Sequence, residues 1–345
     1  MTVFQPIRTA RLLLRPARLA DAEPLSRWRS DPEVAEYQNW IAPYSLDRAR
    51  EMVAGMAAMD GPVNDDWWML TIADLDDTIV LGELVLHLTW EGRTAEIGYT
   101  LDRDAWGRGY AAEASTALVE YLFETLGVTR VEGMLHPDNR ASAMVLERVG
   151  MLFEGHTRSS FWIGDENSDD WLYGMTRPDW EAWRDRLRAA PAEVRLVEVT
   201  PETQRAVRQL ATHKSQERFV SPVVNSFADA LFPGEYRDAP VVPWMRAIEA
   251  DGELAGFVML ALATVENPEP HLWRFLIDRM HQRRGIGARA LELVIEQCRA
   301  WGNETLLVSW IPGRGTPAPM YLARGFVPTG VVDEGEIEAR LQLGA

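Results

Sequence analysis

Apolar and polar positions follow one another along this chain in an order that occurs twice. Each half begins with a short apolar run, LLLRPA or VRLVEV, and then a polar-started stretch with helical spacing, LADAEPLSRWRS or TPETQRAVRQLA. A middle block of strand-length apolar runs follows, WWMLTIADLDDTIVLGELVLHLTW in the first half and WMRAIEADGELAGFVMLALATV in the second. The acidic or glycine turns inside these blocks predict hairpins.

The second part of each half keeps the same correspondence. A further strand, AEIGYTL or LWRFLI, leads to a glycine turn and an apolar-periodic helix, and the turn glycines Gly109 and Gly285 are 176 residues apart. A strand, VEGML or TLLVSW, a short helix ending at Gly150 or Gly325, and a terminal hairpin complete each half. This repetition predicts two copies of one α/β (α+β) domain, each with a mixed, largely antiparallel central sheet flanked by helices. The predicted division is 1–188 for the first domain, 189–194 for the linker and 195–345 for the second domain.

The composition is that of a globular protein, and the charge narrows its partners. Of 345 residues 47% are hydrophobic, and 35 basic against 52 acidic residues give a net charge of −17. This charge opposes binding to nucleic-acid phosphates and favours cationic partners. The single cysteine, Cys298, excludes an intramolecular disulfide framework and a cysteine-based zinc cluster, and we expect no metal site.

The sequence gives no sign of export or membrane insertion. Its first residues, MTVFQPIRTARLLLRP, contain neither the apolar core nor the small-residue cleavage site of a signal peptide. No apolar run reaches the roughly 18 residues that a membrane span needs. We therefore expect a soluble, cytoplasmic protein without a membrane partner.

The two glycine turns are the first candidate binding sites, because a glycine turn that opens a helix commonly holds a phosphate. They lie in HQRRGIGARALELVIEQC (281–298) and AWGRGYAAEASTALVEYLF (105–123). A Walker loop is excluded, since neither turn ends in Gly-Lys-Ser/Thr. Both turns formally fit the dinucleotide fingerprint G-x-G-x-x-A, which needs a strand directly before the first glycine and an acid about 20 residues later. In the second half the polar stretch DRMHQRR precedes the glycine and the next strand ends without an acid, which disfavours this alternative.

A third pattern, Gln/Arg-x-x-Gly-x-Gly/Ala, fits better. It reads QRRGIG at 282–287 and WGRGYA at 106–111, where Trp106 stands in place of Gln or Arg. With these turns in the same strand–turn–helix–strand–helix context, the chain resembles the GNAT superfamily of acyl-CoA-dependent N-acyltransferases in both halves. The resemblance implies that backbone N–H groups of each turn hold the pyrophosphate of acetyl-CoA (coenzyme A), the expected cofactor. Glycines without a Cβ and the positive end of a helix suit that role.

The resemblance also implies which residues contact the cofactor. Arginines in the turns would add Coulomb attraction to the pyrophosphate, and an asparagine would lie near the pantetheine. The expected cofactor-binding residues are Leu101, Trp106, Gly107, Arg108, Gly109, Tyr110, Ala111, Asn139, Ile277, Gln282, Arg283, Arg284, Gly285, Ile286 and Gly287.

The first half is similar to the branch that contains ribosomal-protein N-terminal acetyltransferases. The resemblance implies that Glu96 is the general base and that Ser142 donates a hydrogen bond to the thioester sulfur. The segments that carry it are RLLLRP (11–16), EIGYTLDRDAWGRGYAAEA (96–114), HPDNRASAMVLERVGM (136–151) and DDWLYGMTRPDW (169–180).

Acetyl transfer to an amine needs groups of these kinds. A primary amine has a reference pKa near 10.4 and is mostly protonated at neutral pH, so a carboxylate must take its proton directly or through water. Burial that lifts a carboxyl pKa from about 4.3 towards 7 suits that task. The departing thiolate, with a pKa of about 8.5 by analogy with cysteine, needs only a hydrogen bond or late protonation.

The second half is similar to bacterial diamine (spermine/spermidine) acetyltransferases. The resemblance implies that Tyr321 is the general acid, and Leu146 occupies the matching place in the first half, so the two halves cannot share one acid. The segments that carry it are QERFVSPVVNSFADAL (216–231), LWRFLIDRMHQRRGIG (272–287), SWIPGRGTPAPMYLARGFVPTG (309–330) and EGEIEARLQL (334–343).

The general base of the second half stays open among four residues, Glu217, Glu266, Glu269 and His271. An acyl-cysteine route through Cys298 is disfavoured, because this residue continues the helical core spacing of Leu291, Val294 and Ile295.

The hypothesis that follows is an N-acetyltransferase that moves an acetyl group from acetyl-CoA to a primary amine by direct attack in a ternary complex. The expected partner is a small-molecule amine, such as a polyamine, an aminoglycoside-like antibiotic or an amino-acid derivative, and a protein N-terminus is an alternative. A second alternative is that one copy is degenerate and only senses acyl-CoA, with Trp106 and Leu146 marking the first half for that role. Pairing is common among GNAT domains, so the resemblance also allows an intramolecular pseudo-dimer or a homodimer.

Overall fold

The computed structural model describes residues 4–163, 165–236 and 239–344. These residues form two compact units, one that ends at Arg184 and one that begins at Asp185. In the part of the chain that the structure describes, no helix is both long and apolar enough to cross a bilayer. Within the same residues, no group of three or more His, Cys, Asp or Glu side chains is arranged to hold a metal ion.

The first unit is built on an eight-stranded sheet in the order β1-β2-β3-β4-β5-β6-β8-β7. Only β5 and β6 run parallel, and all other neighbours are antiparallel. The strands are β1 (Ile7–Arg8), β2 (Leu12–Pro16), β3 (Trp67–Asp74), β4 (Val80–Thr89), β5 (Thr94–Leu101), β6 (Arg130–Leu135), β7 (Leu152–Ile163) and β8 (Glu166–Thr176).

Helices cover both faces of this sheet. One face packs against α4 and α5 in the larger core, and the other packs against α1, α2 and α3. Ser45 begins α3 by accepting a hydrogen bond from the backbone N–H of Arg48, and Ala49 and Val53 are its buried positions. The helices are α1 (Ala22–Arg29), α2 (Pro32–Ala35), α3 (Leu46–Ala57), α4 (Tyr110–Tyr121), α5 (Arg140–Val149) and α6 (Arg177–Asp185).

Arg29 and Glu83 form a buried ion pair between α1 and the sheet. The guanidinium of Arg29 contacts the carboxylate of Glu83 on β4, and only 8% and 3% of the two side chains are exposed. The rings of Trp40 and Tyr44 lie 4.2 and 5.1 Å from the guanidinium carbon. Burial raises the pKa of the Glu83 carboxyl, and the Arg29 charge acts in the opposite direction.

The second unit has a seven-stranded sheet in the order β16-β17-β15-β14-β13-β12-β9, and β10 pairs with β11 separately. Here β14 and β15 are the parallel pair. The strands are β9 (Val194–Val197), β10 (Glu235–Tyr236), β11 (Ala239–Pro240), β12 (Pro243–Ala250), β13 (Glu253–Ala261), β14 (His271–Ile277), β15 (Thr305–Trp310), β16 (Val327–Asp333) and β17 (Glu336–Gln342). The helices are α7 (Gln204–Val207), α8 (Val223–Leu231), α9 (Ile286–Ala300) and α10 (Ala318–Leu322).

The predicted fold is confirmed, because both units have a mixed sheet with one parallel pair and helices on its faces. The helix predicted from TPETQRAVRQLA is shorter than its spacing suggests and covers only α7. The hydroxyls of Thr200 and Thr203 bind each other's backbone N–H groups, at 3.3 and 2.9 Å. These bonds hold residues 200–203 in a turn directly before α7.

In each unit the two parallel strands separate soon after they meet. The parallel pairing of β5 and β6 covers three residues and ends at Glu96 and Glu132. That of β14 and β15 covers two residues, from His271 to Leu272. An opening in the sheet follows in each case, and the glycine turn comes after the far end of β5 or β14.

Candidate active sites

The two glycine turns have the same backbone conformation. Gly109 (φ 80°, ψ 10°) and Gly285 (φ 77°, ψ 1°) are the N-cap residues of α4 and α9, and no side chain caps either helix. Two residues earlier, Gly107 and Arg283 also have positive φ, 74° and 65°. The chain therefore repeats one left-handed turn, which leaves the first N–H groups of each helix without a side-chain acceptor.

Trp106 makes the contact that Gln282 makes in the second unit. The indole Nε1 of Trp106 donates to the carbonyl of Leu101 at 3.1 Å, and the amide Nε2 of Gln282 donates to the carbonyl of Ile277 at 3.1 Å. Both carbonyls belong to the last residue of a strand, β5 or β14. The tryptophan that looks degenerate in the sequence thus supplies an equivalent N–H donor, which removes one of the two reasons for treating the first unit as decayed.

One arginine outside the pattern, Arg11, holds the first turn. Arg11 donates to the carbonyl of Arg108 at 2.9 Å, pairs with Glu113 in the first turn of α4, and lies over the ring of Tyr110. The sequence pattern gives no sign of Arg11, because this residue lies about a hundred residues from the turn. Arg108 itself is exposed.

The second turn is held differently. Arg284 is only 4% exposed and donates to the carbonyl of Ala189 at 2.9 Å. Arg289 donates to the carbonyls of Pro191 and Ala192, at 2.6 and 3.0 Å. These contacts favour a structural role for Arg284, whereas Arg283 is exposed beside the turn.

The other expected cofactor-binding residues lie around the same two turns. Tyr110 and Ala111 begin α4, and Ile286 and Gly287 begin α9. Ile286 is 1% exposed in the core, so only its backbone faces outward. Asn139 is the N-cap of α5, where its side chain accepts from the N–H of Ser142 at 3.0 Å.

Glu96 lies where β5 and β6 separate, in a row of cross-strand neighbours. The row runs from Trp67 through His87 and Glu96 to Glu132, and the rings of Trp67 and His87 stack with centroids 5.0 Å apart. Burial raises the pKa of the Glu96 carboxyl, and the charges of Glu132 and Asp170 add to this rise while His87 lowers it. The carboxyl is therefore a stronger base than an exposed glutamate.

Ser142 has a partner that the sequence analysis did not identify. The phenol oxygen of Tyr99 on β5 lies 2.7 Å from Oγ of Ser142 and donates to the Ser142 carbonyl at 2.9 Å. Burial raises the pKa of the phenol. The available signal was the tyrosine in EIGYTL, whose alternation places it on the face of β5 opposite Glu96.

The two units carry their phenols on different elements. Tyr321 on α10 corresponds to Leu146 on α5, and it is 4% exposed, with its ring stacked on Trp310 at 5.9 Å. Burial raises the pKa of Tyr321. Tyr99 on β5 in turn corresponds to Phe275 on β14, since their partners on β4 and β13 match. The tyrosine is thus on the strand in the first unit and on the helix in the second.

The four residues considered as general base of the second unit lie in different surroundings. Glu269 pairs with Arg340, with Nε and Oε1 2.6 Å apart, and Glu217 pairs with Lys214 at the same distance. Glu266 is exposed in the loop before β14, and His271 begins β14.

Cys298 is buried, as its helical spacing predicts. Its side chain is 0% exposed in the core of α9, and burial raises the pKa of the thiol to about 12. A thiol of that pKa is not a nucleophile at neutral pH.

Both turns fit the pyrophosphate of coenzyme A. A Cβ added at Gly285 would meet no atom within 4 Å, and at Gly109 only the guanidinium of Arg11 lies that close. The space in front of each turn is therefore open, and the uncapped N–H groups of α4 and α9 border it. These backbone groups are the ones that would hold the cofactor.

Comparison with known proteins agrees with this geometry. The sequence profile of the acetyltransferase (GNAT) domain matches residues 11–152, and that of the acetyltransferase (GNAT) family matches residues 205–326. The N-acetyltransferase p20 of Bacillus licheniformis is 34% identical over 159 residues, which cover 45% of this chain and 86% of that protein. The [ribosomal protein uS5]-alanine N-acetyltransferase of Escherichia coli strain K12 is 25% identical over 187 residues, 52% of this chain and 94% of that protein.

Among solved structures, a GNAT acetyltransferase from Bacillus anthracis is similar, with 25% identity and a TM-score of 0.46 over 50% of this chain and 98% of that chain. The two profile matches fall on the two units one by one. The chain therefore belongs to the GNAT family, as an N-acetyltransferase with two family domains in tandem and acetyl-CoA as its acyl donor.

Proposed function

We propose that the first unit transfers the acetyl group of acetyl-CoA to a primary amine of a small molecule by direct attack in a ternary complex. The observation that carries this proposal is the position of Glu96, a half-buried carboxyl with a raised pKa at the point where the parallel strands separate. Acetyl-CoA supplies an activated acyl group when bound. Glu96 takes the proton of the amine as its nitrogen attacks.

Ser142 and Tyr99 serve the leaving group. The Ser142 hydroxyl can donate a hydrogen bond to the departing thiolate, and the Tyr99 phenol, 2.7 Å from that hydroxyl and donating to the Ser142 carbonyl, holds the serine in place. This pair lies on the face of the sheet opposite Glu96, with α5, so base and acid act from the two sides of the opening. In the second unit the corresponding acid is Tyr321.

The surroundings of Glu96 support a cationic acceptor. Glu132 and Asp170 add negative charge near it, and Trp67, 38% exposed and stacked on His87, offers a ring face. Carboxylates and an aromatic face together suit an ammonium group. A polyamine, an aminoglycoside-like antibiotic and a basic amino-acid derivative share this chemistry.

The second candidate acceptor is the N-terminal amine of a protein. It is favoured by the Escherichia coli relative, whose name gives the alanine of ribosomal protein uS5 as its acceptor. A peptide with N-terminal alanine and basic residues after it would be attracted by the same carboxylates, those of Glu96, Glu132 and Asp170.

Thiol release from acetyl-CoA with spermidine, kanamycin and an Ala-initiated basic peptide distinguishes these acceptors. We expect spermidine or kanamycin to be turned over faster than the peptide. Ser142→Ala is expected to slow turnover by about 10²-fold if the first unit works on that acceptor, and Tyr321→Phe to do so if the second unit does. Unchanged turnover in both variants would refute the roles of both residues. Acetyl-CoA binding without release from any amine would favour the acyl-CoA sensor instead.

Glycine variants test the cofactor turns. Gly285→Ala is expected to weaken acetyl-CoA binding to the second unit at least about tenfold, or about 1.4 kcal/mol, because the new Cβ enters the open space in front of the turn. Gly302→Ala is the matched control, since Gly302 has φ 80°, close to 77° at Gly285, and also has no atom near its Cβ position. Both variants carry the same backbone strain. Equal affinities in the two, by calorimetry, would contradict the turn as the pyrophosphate site.

A further inference from the structure

The second unit has a histidine at the place that Glu96 occupies in the first. Glu96 is paired with His87 on β4 and with Glu132 across the parallel strands. In the second sheet, His271 holds the same two kinds of pairing, with Ala261 on β13 and with Leu307 on β15. Apart from the edge strand β1, the strands have the same order in both sheets, so the two residues occupy corresponding points.

A count of residues along the sequence back from the glycine turns does not give this correspondence. The same distance before Gly285 gives Leu272, not His271. However, β14 contains one residue more than β5 between this point and the turn, since its register with β13 shifts between Met259 and Leu260. Leu272 lies in the core with α9 as Ile97 lies in the core with α4, so the residue before each faces the opposite side. The extra residue of the bulge is Trp273.

Polar and charged side chains lie on the same side of the second sheet as His271. Its Nε2 lies 3.1 Å from Oγ of Ser309 on β15. The charged groups on this side of the sheet are Glu269 before β14, Arg274 on β14 with its partner Asp229 on α8, and Glu336, Glu338 and Arg340 on β17. Of these, Glu269 binds Arg340 and Asp229 binds Arg274. His271 is the side chain of this group that lies at the strand position matching Glu96.

We propose that His271 is the general base of a second acetyl-transfer site in this chain, with Ser309 orienting its ring. The amine nitrogen forms a bond to the acetyl carbon and its proton passes to the imidazole. The C–S bond breaks, and the thiolate takes a proton from Tyr321. Imidazole is a common general base in enzymes, and its unprotonated nitrogen can accept the proton of an amine. This assignment of His271 rests on the general-base role proposed for Glu96.

The test uses the full chain with the first site disabled by Glu96→Gln and Ser142→Ala. Thiol release from acetyl-CoA is measured with spermidine, kanamycin and the Ala-initiated peptide. We expect residual release in this background, a loss of about 10²-fold on adding His271→Ala, and partial recovery with free imidazole. His271→Glu, which installs the residue of the first unit, is expected to retain more activity than His271→Ala.

Tyr321→Phe in the same background is the control for rescue, since imidazole replaces a base and not the phenol. Calorimetry should show that the chain with His271→Ala still binds two molecules of acetyl-CoA, one to each turn, which establishes that the second unit is folded. Absence of release in the disabled background, an unchanged rate with His271→Ala, or a loss that neither imidazole nor glutamate restores would each overturn the proposal. If Glu96→Gln alone does not change thiol release by the otherwise unmodified chain, the function proposed for the first unit is refuted. The effect of His271→Ala in the disabled background can still be interpreted in that case.

Discussion

Glu96→Gln is expected to lower kcat of the first unit by about 10²- to 10⁴-fold, the usual contribution of a general base. Glutamine keeps the size of the side chain and its place beside His87 and Glu132, but it cannot take a proton. The KM for acetyl-CoA should stay nearly unchanged, because the glycine turn is intact. The measurement is thiol release with the best amine of the panel, in a chain that also carries Tyr321→Phe.

Glu120→Gln on the exposed side of α4 is the control for loss of one carboxylate.

The pH dependence of kcat/KM is a second test of Glu96 as the base. Glu96 must be ionised to act, so kcat/KM should rise with pH through its raised pKa. Because Glu132 raises that pKa and His87 lowers it, Glu132→Gln should move the rise to lower pH and His87→Ala to higher pH. A profile that neither substitution moves would count against Glu96 as the base.

Arg29→Met is expected to destabilise the first unit by about 3–5 kcal/mol, because it leaves the carboxylate of Glu83 buried without its partner. For a unit of this size the loss corresponds to a fall in Tm of roughly 10 °C. The folded-state pKa of Glu83, already raised by burial, should rise further without the arginine. The loss of stability caused by Arg29→Met is therefore largest at high pH, and it becomes smaller as the pH falls and Glu83 is protonated. Calorimetric melting at several pH values measures it.

The matched control is Arg50→Met, which removes an arginine whose side chain is 62% exposed and paired with Asp47. Exposed pairs of this kind contribute about 0–1 kcal/mol. Adding Glu83→Gln to Arg29→Met should recover much of the loss, since the unpaired charge is then gone. A loss that is the same at every pH, or that the double variant does not reduce, would show that packing against Trp40 and Tyr44 is the larger effect.

The architecture could be predicted from the sequence because the same order of elements occurs in both halves. Strand alternation, the acidic hairpin turns and the glycine turns at Gly109 and Gly285 each appear in both halves. A weak local signal becomes specific when it recurs in the same order. The positions of Glu96 and Ser142 followed from the resemblance, and the structure places them on elements that border the same sheet opening.

Other parts of the sites depend on contacts that spacing does not encode. Trp106 breaks the pattern of residue types, yet its N–H binds the carbonyl of Leu101, which corresponds to the Ile277 carbonyl that the amide of Gln282 binds. Tyr99 and Ser142 meet only when β5 and α5 pack together. The place of His271 is displaced by one residue through the bulge at Trp273, so a count along the chain points to the wrong side of the strand.

The buried thiol of Cys298 has a practical consequence. It is the one cysteine in the sequence, and its burial and raised pKa make it inert towards maleimide dyes under native conditions. One cysteine introduced on the surface of each unit can therefore carry a fluorophore without removal of a native residue. Energy transfer between the two dyes would then report the separation of the units in solution, with and without acetyl-CoA.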